Sequence, residues 1–303
     1  MKIGIFDSGL GGLIILREIV KKLPQYDYIY LGDNARTPYG NRSQEVIYNF
    51  TEQAVDFLFK QNCQLIIIAC NTASAEALRK IQLEWLPRVM GSEYRVLGVI
   101  KPVVEKAMQV AKKKVGVIGT KGTINSQAYI KEIEKFNPQL EVLQQATPLL
   151  VPLIEEGWQK SAVTKKVLRI YLQPLKLAKV DTLILGCTHY PILFRQIQGI
   201  MGKRTNVLHS GEVVADSLAD YLSRHPEIEN KLAKNKFFIN QPVASQLADK
   251  KARLIGAKPR DLTFFDWEQY KNIQLFVTDD SEHYKNLAKE WFGKEIKFGK
   301  VNL

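Results

Sequence analysis

Two apolar runs, Leu65-Ile66-Ile67-Ile68-Ala69 and Thr182-Leu183-Ile184-Leu185-Gly186, each lead directly into a cysteine and two polar residues, Cys70-Asn71-Thr72 and Cys187-Thr188-His189. Runs this short and this continuously apolar read as strands covered on both faces, the kind found in parallel sheets. A helix is expected to open after each junction. Each cysteine would then face backbone N–H donors and the positive end of a helix dipole, which favours the thiolate. Two such junctions imply two reactive thiols.

The repetition extends further. Lys2-Ile3-Gly4-Ile5-Phe6-Asp7-Ser8-Gly9 is echoed by Lys114-Val115-Gly116-Val117-Ile118-Gly119-Thr120, at an offset close to that between the two cysteines. Similar offsets at two junctions suggest two copies of one α/β unit. Strands are expected near residues 2–6, 28–31, 65–69, 96–99, 115–118, 141–144, 182–185 and 274–277, alternating with helical patterns. The fold this predicts is α/β, with two pseudo-symmetric doubly wound lobes, parallel sheets, and the active site in the cleft between them. Lys101-Pro102 reads as the crossing into the second lobe and His209-Ser210-Gly211 as the return. Residues 1–100 with 210–303 would form the first lobe and residues 101–209 the second. The basic stretch 230–272 lacks the α/β pattern and reads as an insertion in the first lobe, either a helical excursion or a surface extension. Leu13, Leu16, Val20 and Leu23 form one apolar helix face, and Val163, Val167, Ile170 and Leu175 another; both are expected to be core.

A chain of 303 residues with 46% hydrophobic residues can bury sizeable cores. Its formal charge of +12 would favour a small acid, nucleic acid or a membrane surface. Much of that charge is scattered, as at Lys21, Lys22, Lys112, Lys113 and Lys114, and reads as solvated helix ends and turns, which argues against a nucleic-acid partner. No apolar run approaches membrane-spanning length and the chain opens on a strand, so a cytoplasmic protein is expected. Three cysteines suit a reducing compartment and functional thiols better than a disulfide framework. Cys63 lacks polar neighbours and reads as a packing residue. Without a C-x-x-C pair, neither a metal site nor a thioredoxin-type activity is expected. Pyridoxal phosphate is disfavoured because neither cysteine motif contains a lysine.

Asp7-Ser8-Gly9-Leu10-Gly11-Gly12 is a glycine-rich turn without nucleotide-loop spacing. Its carboxylate could hold a substrate ammonium, orient a thiol, or simply cap a helix. In Thr37-Pro38-Tyr39-Gly40, Tyr39 and the Gly40 amide either contact a ligand or form a plain turn. Glu155-Glu156-Gly157-Trp158 either ends a helix or carries a carboxylate into the cleft. His189, two residues from Cys187, is either a base beside a nucleophile or a structural histidine. Two cysteines on opposing walls suit proton exchange at a stereocentre. One thiolate removes the proton from one face and the opposite thiol donates to the other, because a single base would return the proton to the face it left.

Phe6 to Gly12, Pro38-Tyr39-Gly40, Ala69-Cys70-Asn71-Thr72-Ala73-Ser74, Pro152-Leu153-Ile154-Glu155-Glu156-Gly157 and Leu185-Gly186-Cys187-Thr188-His189-Tyr190-Pro191 together resemble the ordered signature of bacterial glutamate racemases, of the aspartate/glutamate racemase superfamily. The resemblance implies a cofactor-independent enzyme that supplies D-glutamate for peptidoglycan. It implies Cys70 and Cys187 as the two acid/base residues, with Asp7, Glu155 and His189 tuning them. It also implies Asp7, Ser8, Tyr39, Gly40, Asn71, Thr72, Thr188 and His189 as substrate-binding residues, with Gly119, Thr120 and Thr123 contributing from the second lobe, and leaves a homodimer open. Two departures stand out: Leu208-His209-Ser210-Gly211 replaces a frequent Asp-Ser pair, and the basic stretch is longer than usual. The alternatives are an aspartate or broader amino-acid racemase on the same scaffold, and a basic nucleic-acid- or protein-binding protein that retains the fold.

Overall fold

In the computed structural model, which describes residues 1–91, 93–234, 265 and 267–303, the apolar runs become strands of two separate sheets. The first sheet contains β1 (Lys2–Asp7), β2 (Tyr28–Gly32), β3 (Cys63–Ile68), β4 (Arg95–Gly98), β9 (Ile273–Val277) and β10 (Gly299–Lys300). The second contains β5 (Lys114–Gly119), β6 (Glu141–Ala146), β7 (Thr182–Gly186) and β8 (Asn206–Leu208). Their spatial orders are β10-β9-β2-β1-β3-β4 and β6-β5-β7-β8, with every pairing parallel. The architecture is therefore α/β with two parallel-sheet lobes.

The sequence of β3 explains why a continuous apolar run was required there. Leu65 and Ile67 enter one hydrophobic core, while Ile66 and Ile68 enter another. Alternate side chains of a strand leave on opposite faces, so both faces of this sheet are covered and neither tolerates polar alternation. Burying each such side chain contributes roughly 1.5–3 kcal/mol before conformational entropy is subtracted. Cys63 belongs to the second core, and burial pushes its thiol up to about 12, as suits a packing residue.

The helix Gly12–Lys22 buries Leu13, Leu16 and Val20, and Leu23 caps it from within the same core. The helix Ala162–Leu177 departs from expectation. It buries Thr164, Leu168, Leu172 and Leu175, while Val163 and Ile170 are exposed. The competing stripe wins because its one polar member is fully satisfied. The Thr164 hydroxyl donates to Trp158 O at 2.7 Å, and its N–H donates to the capping Ser161 Oγ at 3.1 Å. The short edge strands β8 and β10 were not anticipated either, since two or three residues carry too little periodicity to read.

The insertion expected at 230–272 lies, apart from its flanks, outside the described residues. Among the described residues, no helix is long and apolar enough to cross a membrane.

Candidate active site

The carboxyl ends of β1 and β3 face those of β5 and β7, as ligand crevices of parallel α/β sheets do. The pocket between them is small and partly open, and residues of both lobes line it. The six-stranded lobe contributes Ser8, Thr37, Pro38, Tyr39, Gly40, Cys70, Asn71 and Thr72. The four-stranded lobe contributes Thr120, Val151, Cys187, Thr188 and His189. Both cysteines thus reach one pocket from opposite lobes.

Cys70 follows β3 and caps the helix Asn71–Glu76, its Sγ accepting the Ala73 N–H at 3.5 Å and lying 3.3 Å from Ser8 Oγ. The helix end was expected to favour a thiolate. That expectation fails: burial, reinforced by the nearby carboxyl of Asp7, pushes the thiol up to about 12 against the weaker help of Ser8 and one N–H.

Cys187 corrects the expectation differently, because what opens after it is a single 3-10 turn, Tyr190–Leu193, and not an α-helix capped by the sulfur. The Tyr190 N–H bonds back to the Cys187 carbonyl at 3.2 Å and the Ile192 N–H to that of His189 at 3.1 Å. These tight turns delay the helix to Phe194–Met201. What faces the sulfur instead is an imidazole, with His189 Nδ1 3.8 Å from Cys187 Sγ. On its other side, His189 Nε2 lies 3.1 Å from Glu155 Oε1. Burial disfavours a charged imidazole, but Cys187 and Glu155 together outweigh it and hold His189 well above its ordinary range. The Trp291 ring meets the imidazole edge-on, with centroids 5.5 Å apart. Glu156 is exposed.

Asp7 stands behind the wall, fully buried. Its Oδ2 accepts the N–H groups of Gly9 and Gly12 at 3.1 and 3.0 Å, and its Oδ1 accepts the Thr188 hydroxyl of the other lobe at 3.3 Å. Burial raises its carboxyl above the usual range, although His189 and these donors act against the shift. Asp7 therefore caps a turn and ties the lobes together at once.

The remaining expected residues separate into wall and support. The Tyr39 hydroxyl donates to Asp33, which also accepts Arg36 Nε at 2.6 Å and the Thr278 hydroxyl at 2.9 Å, so the phenol is anchored and its ring faces the pocket. At Gly40 a Cβ would lie 2.5 Å from Thr120 Cβ, so the close approach of the lobes there admits only glycine. Thr72 crosses between lobes to Thr120 at 2.9 Å and Thr123 at 3.3 Å. Thr123 supports Thr72 from behind, and Gly119 holds the Thr147 N–H with its carbonyl at 2.8 Å; neither is among the pocket-lining residues. Asn71 Oδ1 accepts the Tyr129 hydroxyl at 2.7 Å. Thr37, Pro38 and Val151 line the pocket without having been singled out. Thr37 and Pro38 sit in a motif that was noted, whereas Val151 carries no signal beyond standing one turn ahead of Glu155.

Chemically, the pocket offers a sulfur on each side, an imidazole–carboxylate pair beside one, a buried carboxyl near the other, and hydroxyl and amide donors between them. The family model described as Asp/Glu/Hydantoin racemase matches residues 10–218. A glutamate racemase of Geobacter metallireducens is 47% identical over 221 residues, covering 73% of this chain and 79% of that protein. Another, from Listeria monocytogenes, is 42% identical over 305 residues, with 98% of both chains covered. The crystal structure of the glutamate racemase isoform RacE1 from Bacillus anthracis superposes with a TM-score of 0.80 at 32% identity, covering 100% of this chain and 97% of that one. Together with a two-lobed pocket that both cysteines enter, these likenesses place the chain in the Asp/Glu/hydantoin racemase family, as an amino-acid racemase.

Proposed function

We propose that this protein interconverts L- and D-glutamate by a 1,1-proton transfer between Cys70 and Cys187 without a cofactor. The observation that carries the reading is that the two sulfurs enter one pocket from opposite lobes, each with its own proton-handling neighbours. In each direction one cysteine, as thiolate, takes the α-proton and its bonding electrons remain on the carbon. The opposite thiol then delivers a proton to the other face and becomes the thiolate. Charge accumulates beside a carboxylate that is already negative, so donors placed before the reaction are needed. Asn71, Thr72 and Thr188 supply them, with Ser8, Tyr39, Gly40 and Thr120 completing the wall.

Asp7 supports Cys70 from behind the wall, while His189 and Glu155 hold and return the proton exchanged at Cys187. The lobes divide at residues 1–100 with 210–303 against 101–209, so closure brings the sulfurs onto opposite faces of one carbon. The product, D-glutamate, would supply peptidoglycan synthesis in the cytoplasm.

The test follows racemisation by polarimetry alongside deuterium entry from D₂O. Cys70→Ser and Cys187→Ser should each abolish racemisation, and each should retain α-proton exchange on one enantiomer only, with opposite preference. Full racemisation by either variant refutes the mechanism. Greater turnover on aspartate than on glutamate refutes the substrate.

A further inference from the structure

Asn71 directly follows one reactive cysteine, lines the pocket and is 3% exposed, yet its Nδ2 has no hydrogen-bond partner among the described residues. A buried amide donor left unpaired costs free energy unless something else receives it. Its orientation is not free. The amide is planar, and its Oδ1 is held by the Tyr129 hydroxyl at 2.7 Å, so Nδ2 is turned away from Tyr129.

Tyr129 sits on the helix Ala128–Glu134 of the opposite lobe and is completely buried. Its ring packs over the chain just before the second cysteine: a methyl placed on Gly186 would lie 3.2 Å from Tyr129 Cε2. One side chain therefore touches the residue before Cys187 with its ring and the residue after Cys70 with its hydroxyl. No pocket-lining atom belongs to it.

We propose that Tyr129 is a positioning residue, which fixes the Asn71 amide so that Nδ2 is presented to the substrate carboxylate as charge grows on it, and that it does so only when the two lobes are together. This rests on the racemase reading above. Without the hydroxyl, the amide loses the contact that distinguishes its oxygen from its nitrogen. It would then spend part of its time presenting an acceptor to an anion.

The test uses the full chain with Tyr129→Phe, which keeps the ring over Gly186 and removes one oxygen. A hydrogen bond of ordinary strength corresponds to a roughly three- to tenfold fall in kcat, with KM changed less than about twofold, because the donor matters most as charge develops. In an Asn71→Ala background the same substitution should cost less than about twofold more, since its target is gone. A merely structural tyrosine would give equal losses in both backgrounds. An unchanged kcat, or additive losses, overturns the proposal.

A second readout does not depend on activity. With asparagine labelled by ¹⁵N, the side-chain resonance that disappears in Asn71→Ala should shift and exchange faster with solvent in Tyr129→Phe, and an unmoved resonance also overturns the proposal. If the parent fails to racemise glutamate, the functional reading falls while the resonance still decides the role of Tyr129. Should Tyr129→Phe not fold, Tyr129→Met, similar in bulk, carries the same measurements.

Discussion

Replacing Glu155 by Gln probes the proton balance at Cys187 with almost no change of shape. Glu155 Oε1 lies 3.1 Å from His189 Nε2, and the two side chains are only 16% and 4% exposed, so solvent screens their attraction little. A hydrogen bond involving a charged group contributes roughly 1.5–3 kcal/mol against about 1 for a neutral one, so the substitution removes about 1–2 kcal/mol of preference for the imidazolium. That is roughly a five- to thirtyfold loss of the charged form relative to the neutral one. His189 is held above its ordinary range in the folded protein, against burial, by Cys187 and Glu155. The charged imidazole therefore stabilises the fold below the unfolded value of about 6.5, and this contribution is lost as pH rises through the folded value. In Glu155→Gln that contribution should be smaller and its loss complete at lower pH. Racemisation rates measured by circular dichroism across a pH series should show the alkaline limb displaced toward acid and kcat lowered by roughly five- to thirtyfold. The melting-temperature gap between parent and variant should be widest in weak acid and close as pH rises. Superimposable pH profiles for the two proteins would refute the assignment of Glu155 as the partner that keeps His189 charged.

Gly11→Ala should leave the fold intact, because Gly11 has φ −59°, which alanine adopts readily, but its methyl would lie 2.5 Å from Thr188 Oγ1 and 2.7 Å from His189 Nδ1. Overpacking of roughly 1–3 kcal/mol at this lobe contact should lower kcat/KM about tenfold or more, and steady-state kinetics matching the parent would contradict it. On the helix Ala162–Leu177, Leu172→Ala should cost roughly 2–5 kcal/mol in urea unfolding. The exposed Ile170→Lys should stay within about 0.5 kcal/mol, and a large loss there would show that the buried face has been misidentified.

The parallel sheets were legible because a strand buried on both faces needs an uninterrupted apolar run, and β1, β3, β5 and β7 supply one each. The pocket's position followed, since the residues just past those strands gather where the sheets' carboxyl ends meet. The phase of Ala162–Leu177 was not legible: two apolar stripes compete there, and the buried one contains a threonine whose satisfaction depends on Trp158 and Ser161. The His189–Glu155 contact crosses 34 residues and Tyr129–Asn71 crosses 58, so neither leaves a local pattern. The thiolate expected at Cys70 failed because the dipole argument counts helix ends but not the desolvation that comes with enclosing the sulfur.

Thr72, Thr120 and Thr123 form a closed triangle of hydroxyls, with Thr120 and Thr123 3.1 Å apart completing the two contacts already described. Three hydrogens serve three edges, and the direction in which they circulate is reversible without moving a heavy atom. When an acid arrives, one hydrogen can swing outward to meet it while the other two keep the edges of their neighbours. The seam can therefore stay shut and still solvate an anion, with rotation of a single C–O bond in place of any opening of the protein.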